Sequence, residues 1–376
     1  MKNGKHPALD ATAFMRRHWQ REPLLVRGAF PRFADPLAPA EVLELASSED
    51  AQSRLVQRRG RRWILEHGPF APSRIKQLPR RDWTVLVQDT NHFSPRADAL
   101  LSRFDFIPHA RIDDVMVSYA VPGGGVGPHV DSYDVFLLQG TGRRRWQISR
   151  QEDRSFVPGL PLRILERFRP EQEWVLEAGD MLYLPPGVAH DGVAETPCLT
   201  WSIGFRAPSD AEIVEGFLDY LRDTLQVEGH YGDRGARPAL HPGAIPEALL
   251  EHFRRTVSRI RWSAADVRAY AGRQLSEPKA HVFFARPRKP LVLRDFAAAC
   301  GRSGLALDSR SRLLFSGTMF FLNGEALEVP AEARALMRRL ADARGLPPLR
   351  AAPPAFWRLV HEAYARGFIV PGEERP

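Results

Sequence analysis

Short apolar stretches, separated by Gly or Pro and often alternating with polar residues, dominate the chain between about residues 11 and 205. Such stretches predict β-strands, and a long series of short strands predicts a sandwich or a barrel. One helix is predicted first, at residues 11–20, where Phe14 and Trp19 are the large apolar side chains. The predicted strands follow at residues 24–28, 83–88, 115–121, 130–138, 143–149, 173–178, 180–185 and 198–205.

The pattern changes to helical spacing after Phe205. Ser209 and Glu212 have the spacing of a capping box, which marks the N-terminus of a helix. Apolar residues then recur at helical spacing, at Ile213, Val214, Phe217, Leu218, Leu221 and Leu225. Two more helices are predicted at residues 247–259 and 263–274. Because this region is too small to bury much core alone, we expect it to pack on a neighbouring domain or on a second copy of the chain.

The last hundred residues combine a hairpin signal with helices. Asn323-Gly324 predicts a two-residue turn between strands, and helices are predicted at residues 331–343 and 354–366. That combination is typical of a winged-helix-like module. The chain is therefore predicted to be an α+β protein. Its three predicted parts are a β-rich domain over residues 1–207, a helical region over 208–276 and a winged-helix-like domain over 277–376.

Composition narrows the class of protein. The 376 residues are 44% apolar and 26% charged, as in globular proteins with more than one domain. No run of about 18 apolar residues predicts a membrane span, and the N-terminal residues lack the apolar stretch of a signal peptide. Because Cys198 and Cys300 fall in different predicted domains, we expect a protein of the reducing cytoplasm.

The net charge leaves two interpretations open. The chain has 53 Lys+Arg against 45 Asp+Glu, a formal net charge of +8, and many of its arginines occur in short groups. One interpretation is a solvated, arginine-rich surface. The other is a surface that contacts a polyanion such as ribosomal RNA, because basic charge attracts nucleic acid without reading its sequence.

A candidate metal site begins after a Gly-rich loop, where His129, Asp131 and Tyr133 occupy alternate positions. On a strand, these three side chains would share one face. A second imidazole, His190, follows a Pro-Pro-Gly bend. Two histidines and one carboxylate leave positions open on a metal ion, as non-haem Fe(II) oxygenases require, whereas a structural zinc site closes its shell, usually with cysteine. A strand, and not a helix, follows the Gly-rich loop, which argues against phosphate binding there.

Arg144 is a candidate anion-binding residue. It shares strand parity with Trp146 and Ile148, which predicts that its guanidinium faces the barrel interior. A buried guanidinium is destabilising unless an anion meets it, and the sequence shows no obvious acidic neighbour. A dicarboxylate cosubstrate would supply that anion through two parallel hydrogen bonds. The alternative is a surface strand on which Arg143, Arg144 and Arg145 are all solvated.

Three stretches, residues 111–148, 182–192 and 201–209, closely resemble the bacterial ribosomal oxygenases, which are JmjC-type arginine hydroxylases. The resemblance implies a JmjC/cupin double-stranded β-helix, a helical dimerisation region that makes a homodimer, and a C-terminal winged-helix-like domain. It implies Fe(II) as cofactor, with 2-oxoglutarate and O2 as cosubstrates. The implied substrate is an arginine side chain, hydroxylated at its β-carbon, of the large-subunit ribosomal protein of the L-sixteen family.

The resemblance also implies roles for individual residues. Arg144 matches the residue that binds the distal carboxylate of 2-oxoglutarate. Ala120 stands where a serine is expected beside that carboxylate, and Thr200 stands where an asparagine is expected near the pocket. Tyr133, which shares the parity of the ligands, is the candidate for contacting the substrate. The residues that match the iron ligands are His129, Asp131 and His190.

Two other functions stay open at this point. One is a JmjC oxygenase that hydroxylates histidine or demethylates lysine, because the motif around His129 does not determine which residue enters the pocket. The other is a non-catalytic, cupin-type ribosome-assembly factor with a basic surface. The latter predicts that His129→Ala leaves function intact and that 2-oxoglutarate does not bind.

Overall fold

The computed structural model describes residues 8–60, 62–349 and 351–372, and it divides the chain into two compact units. The first unit ends at Ala207 and also includes Asp308–Arg310. The second unit contains the rest of the chain, so it includes both the predicted helical region and the predicted winged-helix-like domain. The described part of the chain contains no helix that is both long enough and apolar enough to span a lipid bilayer.

The first unit consists mainly of antiparallel strands. Its helices are α1 (Ala11–Arg17), α2 (Pro39–Leu45), α3 (Pro72–Lys76) and α4 (Pro95–Leu101). Its strands are β1 (Leu24–Val26), β2 (Ser53–Arg59), β3 (Arg62–His67), β4 (Trp83–Val87), β5 (Ile112–Ala120), β6 (His129–Val130), β7 (Asp134–Gln139), β8 (Arg144–Ser149), β9 (Gln172–Leu176), β10 (Met181–Leu184), β11 (Ala189–Ala194) and β12 (Cys198–Phe205).

These strands form two sheets that face each other. The large sheet has the order β1-β10-β7-β12-β5-β4-β2-β3, and the small sheet has the order β6-β11-β8-β9. From β5 to β12 the chain passes repeatedly from one sheet to the other, with β8 and β9 as adjacent partners in the small sheet. This alternation is the double-stranded β-helix that the family resemblance implied.

Both faces of the large sheet are covered, which explains the continuous apolar stretches in its strands. On β7, Phe136 and Leu138 belong to the core beneath the helices, whereas Val135 and Leu137 face the small sheet. The core beneath the helices also contains the fully buried Trp201. The alternation along β7 therefore separates a structural face from a face that looks into the space between the sheets.

The predicted strand over residues 130–138 is broken in the structure. β6 ends at Val130 in the small sheet, and β7 begins at Asp134 in the large sheet. Residues 131–133 are the crossover between the sheets, so Asp131 and Tyr133 do not lie on a strand. No strand was predicted at β2, β3 or β11. Strands β2 and β3 extend the large sheet beyond β4, and β11 carries His190.

The second unit combines helices with two small sheets. Its helices are α5 (Asp210–Thr224), α6 (Glu247–Val257), α7 (Ala264–Ser276), α8 (Leu293–Ser303), α9 (Arg334–Ala343) and α10 (Pro354–Ala365). Its strands are β13 (Leu305–Leu307), β14 (Leu313–Ser316), β15 (Met319–Leu322), β16 (Glu325–Leu327), β17 (Gly345–Leu346) and β18 (Ile369–Pro371). The sheet orders are β17-β13-β18 and β14-β15-β16.

Two local predictions in this unit agree with the structure. Ser209 and Glu212 form the capping box at the start of α5, with each side chain accepting a hydrogen bond from the other residue's backbone N–H. Asn323 and Gly324 connect β15 to β16 with φ angles of 50° and 86°, as a type I′ turn requires. Both signals are local, because they depend on neighbouring residues and not on the tertiary fold.

The helical region is packed unevenly. Helix α7 packs on the β14-β15-β16 sheet, where Gly272 gives Phe321 room to approach the helix backbone. Helices α5 and α6, by contrast, present large apolar side chains to solvent. These exposed residues are Ile213, Val214, Leu218, Leu250, Phe253 and Val257. Their exposure agrees with the expectation that this region does not bury its apolar surface alone.

Candidate metal centre and cosubstrate pocket

His129, Asp131 and His190 come together at one point between the two sheets. The histidines are direct cross-strand partners on β6 and β11, with ring centroids 4.2 Å apart. Asp131 Oδ2 lies 3.6 Å from His190 Nε2 and 3.9 Å from His129 Nε2. The ligand atoms all lie within 4.8 Å of one another, and no other group of three or more His, Cys, Asp or Glu side chains in the described chain meets that criterion. This geometry can hold one metal ion.

Backbone carbonyls orient both imidazoles. His129 Nδ1 lies 2.9 Å from the carbonyl oxygen of Gly127, and His190 Nδ1 lies 3.0 Å from that of Val188. Each Nδ1 donates a proton to its carbonyl, which leaves Nε2 unprotonated for a metal. Burial, and then the neighbouring His129, lower the pKa of His190 to about 4. His190 is therefore in its neutral, metal-binding form at pH 7.

His129, Asp131 and His190 line a cavity of about 480 Å³ between the sheets, and Arg144 lies in its wall. Arg144 is 3% exposed. Its Nη1 donates to Ser118 Oγ at 3.0 Å and to Thr200 Oγ1 at 3.4 Å, and its Nη2 donates to the carbonyl of Gly192 at 3.0 Å. These acceptors are all uncharged, and burial lowers the pKa of Arg144. A buried cation with neutral acceptors favours an anionic ligand.

The residues present fit a ferrous ion and a dicarboxylate. Two imidazoles and one carboxylate suit non-haem iron and leave coordination positions open. Arg144 Nε is buried and finds no hydrogen-bond partner among the described residues. Along β11, His190 and the residue opposite Arg144, Ala194, are four positions apart, or about 13 Å at 3.3 Å per residue. The cavity can therefore hold a ligand that joins the metal to the guanidinium.

The hydroxyls beside Arg144 explain the two departures from the expected pattern. Ala120 is fully buried in a small cluster with Ala194 and Cys198, away from the cavity lining. The serine that contacts Arg144 is Ser118, two residues earlier on the same face of β5. Thr200 lies opposite Ser118 on β12 and provides a second hydroxyl. The chain thus retains a serine at the guanidinium despite Ala120.

The other end of the cavity carries two aspartates, Asp113 and Asp114, together with Arg54. Asp114 lies four residues before Ser118 on β5, about 13 Å along the strand, and both residues line the cavity. Tyr133 also lines this end, close to Gly204 on β12. Burial of its hydroxyl, and then Asp131 and Asp114, raise the pKa of Tyr133, so the hydroxyl stays protonated. Asp114 was not among the residues predicted for the site, although the pair Asp113-Asp114 at the start of a buried strand is a signal that the sequence contains.

The five side chains that the sequence analysis selected, His129, Asp131, Tyr133, Arg144 and His190, all line this cavity. A double-stranded β-helix with a two-histidine, one-carboxylate group and a buried cation in the same cavity defines the class of cupin-fold, metal-dependent oxygenases. Residues 99–213 match the family model of the JmjC domain, and residues 259–353 match that of the ROXA-like winged helix. These matches confirm the fold class predicted from the sequence.

Comparison with whole proteins identifies the family. The chain is 34% identical over 319 residues to the ribosomal protein uL16 3-hydroxylase of Escherichia coli strain K12, covering 84% of this chain and 85% of that protein. It is 41% identical over 207 residues to a probable ribosomal oxygenase of Haemophilus influenzae, covering 54% and 51% of the two chains. The structure of the E. coli ribosomal oxygenase YcfD in complex with cobalt and 2-oxoglutarate matches with a TM-score of 0.82 and 31% identity, covering 97% of this chain and 99% of that chain. This chain belongs to the JmjC ribosomal oxygenase family.

Proposed function

We propose that this chain is an Fe(II)- and 2-oxoglutarate-dependent oxygenase that hydroxylates the β-carbon of an arginine side chain in the large-subunit ribosomal protein uL16. The observation that carries the proposal is the charge distribution in the cavity. Arg144 contacts Ser118, whereas Asp114 lies four residues earlier on β5, where Asp113 and Arg54 also line the cavity. The metal-binding group connects the two regions. Asp131 lies two residues before Tyr133, and His190 lies two residues before Gly192, whose carbonyl accepts a hydrogen bond from Arg144.

Each end of the cavity suits one reactant. The guanidinium of Arg144 binds the distal carboxylate of 2-oxoglutarate, and the neutral oxygens around it hold it in place. At the other end, Asp114 supplies negative charge and Tyr133 supplies a hydroxyl for a long cationic side chain. One oxygen of Asp114, Oδ2, accepts a hydrogen bond from the backbone N–H of Asp89, which fixes the carboxylate in the cavity wall. A substrate arginine can then place its guanidinium at Asp114 and an aliphatic carbon near the metal.

The protein residues bind and orient the reactants. When bound, iron, 2-oxoglutarate and O2 supply the oxidation, which yields succinate, CO2 and a hydroxyl group on the substrate carbon. His129, Asp131 and His190 hold the metal on one side only, while the apolar residues of both sheets exclude water. The side chains transfer no proton to the substrate in this scheme. They contribute by orienting the reactants and by excluding water from the site.

Mass spectrometry of the substrate protein tests this function. We expect the purified chain, given iron and 2-oxoglutarate, to add 16 Da to one arginine-containing peptide of uL16, with fragment ions that place the oxygen on the β-carbon. His190→Ala should abolish the addition because it removes a metal ligand. His109→Ala is the matched control, since His109 pairs with Asp105 outside the cavity lining. Oxidation of a histidine, loss of a lysine methyl group, or an unmodified uL16 would each contradict the proposal.

We also propose that the chain forms a homodimer through the exposed apolar face of α5 and α6. Leu218 on α5 is 60% exposed and Phe253 on α6 is 62% exposed, a poor arrangement for an isolated chain. Light scattering should give the mass of two chains, and Leu218→Asp should halve it, whereas the control Asp223→Ala should leave it unchanged. A wild-type mass of one chain would refute the dimer.

The net charge of +8 supports one further partner, ribosomal RNA, and the substrate supports a cytoplasmic location. If the basic surface binds RNA, electrophoretic mobility shifts with ribosomal RNA should weaken steeply between about 50 and 200 mM salt. Binding that is absent at low salt would favour the solvated-surface interpretation instead. Fractionation of cells that express the tagged chain would test the location, with recovery outside the cytoplasmic fraction as the contradicting result.

A further inference from the structure

Trp146 lies between the anion-binding residue and the metal-binding group. It occupies β8 two residues after Arg144, and its cross-strand partner on β11 is Gly192. The next row toward the metal pairs Ile148 with His190. Because side chains two apart on a strand share a face, a ligand that extends from Arg144 to the metal passes directly over the row of Trp146 and Gly192.

The indole is held in place by close contacts on two sides. A methyl group placed on Gly192 would lie 2.6 Å from Cη2 and Cζ3 of Trp146, so the six-membered ring rests on the glycine backbone. The guanidinium carbon of Arg144 lies 5.0 Å from the centre of the ring, and the imidazole of His190 lies 5.9 Å from it. Trp146 is only 5% exposed and lines the cavity. Its orientation is therefore fixed by packing.

The indole N–H nevertheless lacks an acceptor. Trp146 Nε1 is buried and forms no hydrogen bond with any described residue, and the same is true of Arg144 Nε. Buried Trp N–H groups usually find a partner, and an unsatisfied buried donor is destabilising. Two unsatisfied donors on neighbouring side chains of one cavity point to one missing acceptor that serves both.

We propose that Trp146 Nε1 and Arg144 Nε together bind the distal carboxylate of 2-oxoglutarate, which makes Trp146 a cosubstrate-binding residue. Trp146 donates one hydrogen bond to a carboxylate oxygen, and Arg144 donates to the same carboxylate while Ser118 and Gly192 hold its other nitrogens. This inference depends on the proposed use of 2-oxoglutarate but not on the identity of the protein substrate. The result of the uL16 assay therefore neither supports nor contradicts it.

Calorimetric titration of the Zn(II)-loaded protein distinguishes this role from packing. We expect Trp146→Phe to raise the dissociation constant of 2-oxoglutarate by about tenfold or more, as befits one hydrogen bond to a charged acceptor. Oxalate chelates a metal but has no distal carboxylate, so its affinity should change less than about twofold. Trp174→Phe is the matched control, because Trp174 pairs with Trp146 across β8 and β9 but lies outside the cavity lining.

Indole N–H resonances give a second, direct measurement. The chain contains 8 tryptophans, and the resonance that disappears in Trp146→Phe identifies Trp146. Saturating 2-oxoglutarate should move that resonance downfield and slow its exchange with solvent, whereas oxalate should not. The proposal would be overturned if Trp146→Phe lowered the affinities for 2-oxoglutarate and oxalate equally. It would also be overturned if the Trp146 indole resonance did not shift when 2-oxoglutarate is added. A wild-type protein that binds oxalate but not 2-oxoglutarate would overturn the cosubstrate assignment as well.

Discussion

Gly192→Ala adds one methyl group and tests how closely Trp146 packs on the backbone of β11. The φ of Gly192 lies outside the left-handed region, so alanine introduces steric overlap without backbone strain. Its methyl group would lie 2.6 Å from two ring carbons of Trp146 and 2.8 Å from a third. Ordinary carbon contacts are about 3.5–4.0 Å, so the indole must retreat by about 1 Å, or β11 must separate from β8. Separation of the strands would displace the carbonyl of Gly192 from Arg144, and retreat of the indole would move Trp146 away from its present position in the cavity wall.

We expect Gly192→Ala to lower the free energy of unfolding by about 1–3 kcal/mol, the usual effect of overpacking a core. Denaturant unfolding of the metal-free protein measures this change, and titration with 2-oxoglutarate should show weaker binding. Gly204→Ala is the control within the same cavity, since its methyl group would meet Asp114 Oδ1 at an ordinary 3.5 Å. The reasoning is refuted if both variants are equally stable, or if Gly192→Ala and Trp146→Leu add without coupling in the double variant.

Three further substitutions test cosubstrate binding, a buried ion pair and a pH-dependent carboxylate. Arg144→Met should abolish measurable 2-oxoglutarate binding in calorimetry. The melting temperature of the ligand-free protein should stay unchanged or rise, because the substitution removes a buried charge whose partners are neutral. A lower melting temperature would contradict this. Asp134→Asn should lower the free energy of unfolding by about 3–5 kcal/mol, because Asp134 is fully buried and pairs with Arg111 at 3.0 Å and with Tyr183 at 2.6 Å. The control is Asp219→Asn, at an exposed aspartate, and equal losses of stability in the two variants would refute the argument. Asp180 tests pH dependence: burial opposes ionisation, but hydrogen bonds from Gly28, Glu177 and Arg27 outweigh it and lower the pKa of Asp180. The stabilisation that ionised Asp180 provides is therefore present above the unfolded-state pKa of about 3.9 and is lost as the pH falls through the folded-state pKa. Wild type should be more stable than Asp180→Asn at pH 7, and the difference in the free energy of unfolding should shrink toward pH 3. A difference that does not depend on pH would exclude this cause.

The residues of the candidate metal site could be selected from the sequence because their signals are local. His129 and Asp131 stand two residues apart after a Gly-rich loop, and His190 follows a Pro-Pro-Gly bend. The orientation of Arg144 followed from strand parity, and its burial agrees with that argument. The capping box at Ser209 was also correct for a local reason, since a cap depends on residues only three positions apart.

Features that depend on cross-strand register could not be predicted in this way. Nothing in the sequence states that Trp146 pairs with Gly192, so the tight packing of the indole was invisible. The same holds for Ser118 and Thr200, which pair across β5 and β12 and both accept hydrogen bonds from Arg144 on the other sheet. The break at residues 131–133 was missed because a change of sheet alters no local hydrophobic pattern. Parity arguments are reliable within a strand, and they fail where the chain crosses between sheets.

The two sheets contribute different parts of the reaction site. The small sheet holds both histidines and Arg144, on β6, β11 and β8, so the strand rows of one sheet set the distance between the candidate metal site and the buried guanidinium. The large sheet provides Asp114 on β5, and the crossover that leads into β7 provides Tyr133. The large sheet also provides Ser118 and Thr200, which accept hydrogen bonds from Arg144. Under the proposed function, substitutions at Asp114 or Tyr133 should therefore alter which side chain is accepted, whereas substitutions at Ser118 or Thr200 should alter cosubstrate binding. Asp131 lies on the crossover itself, so the metal site is complete only when both sheets are packed together.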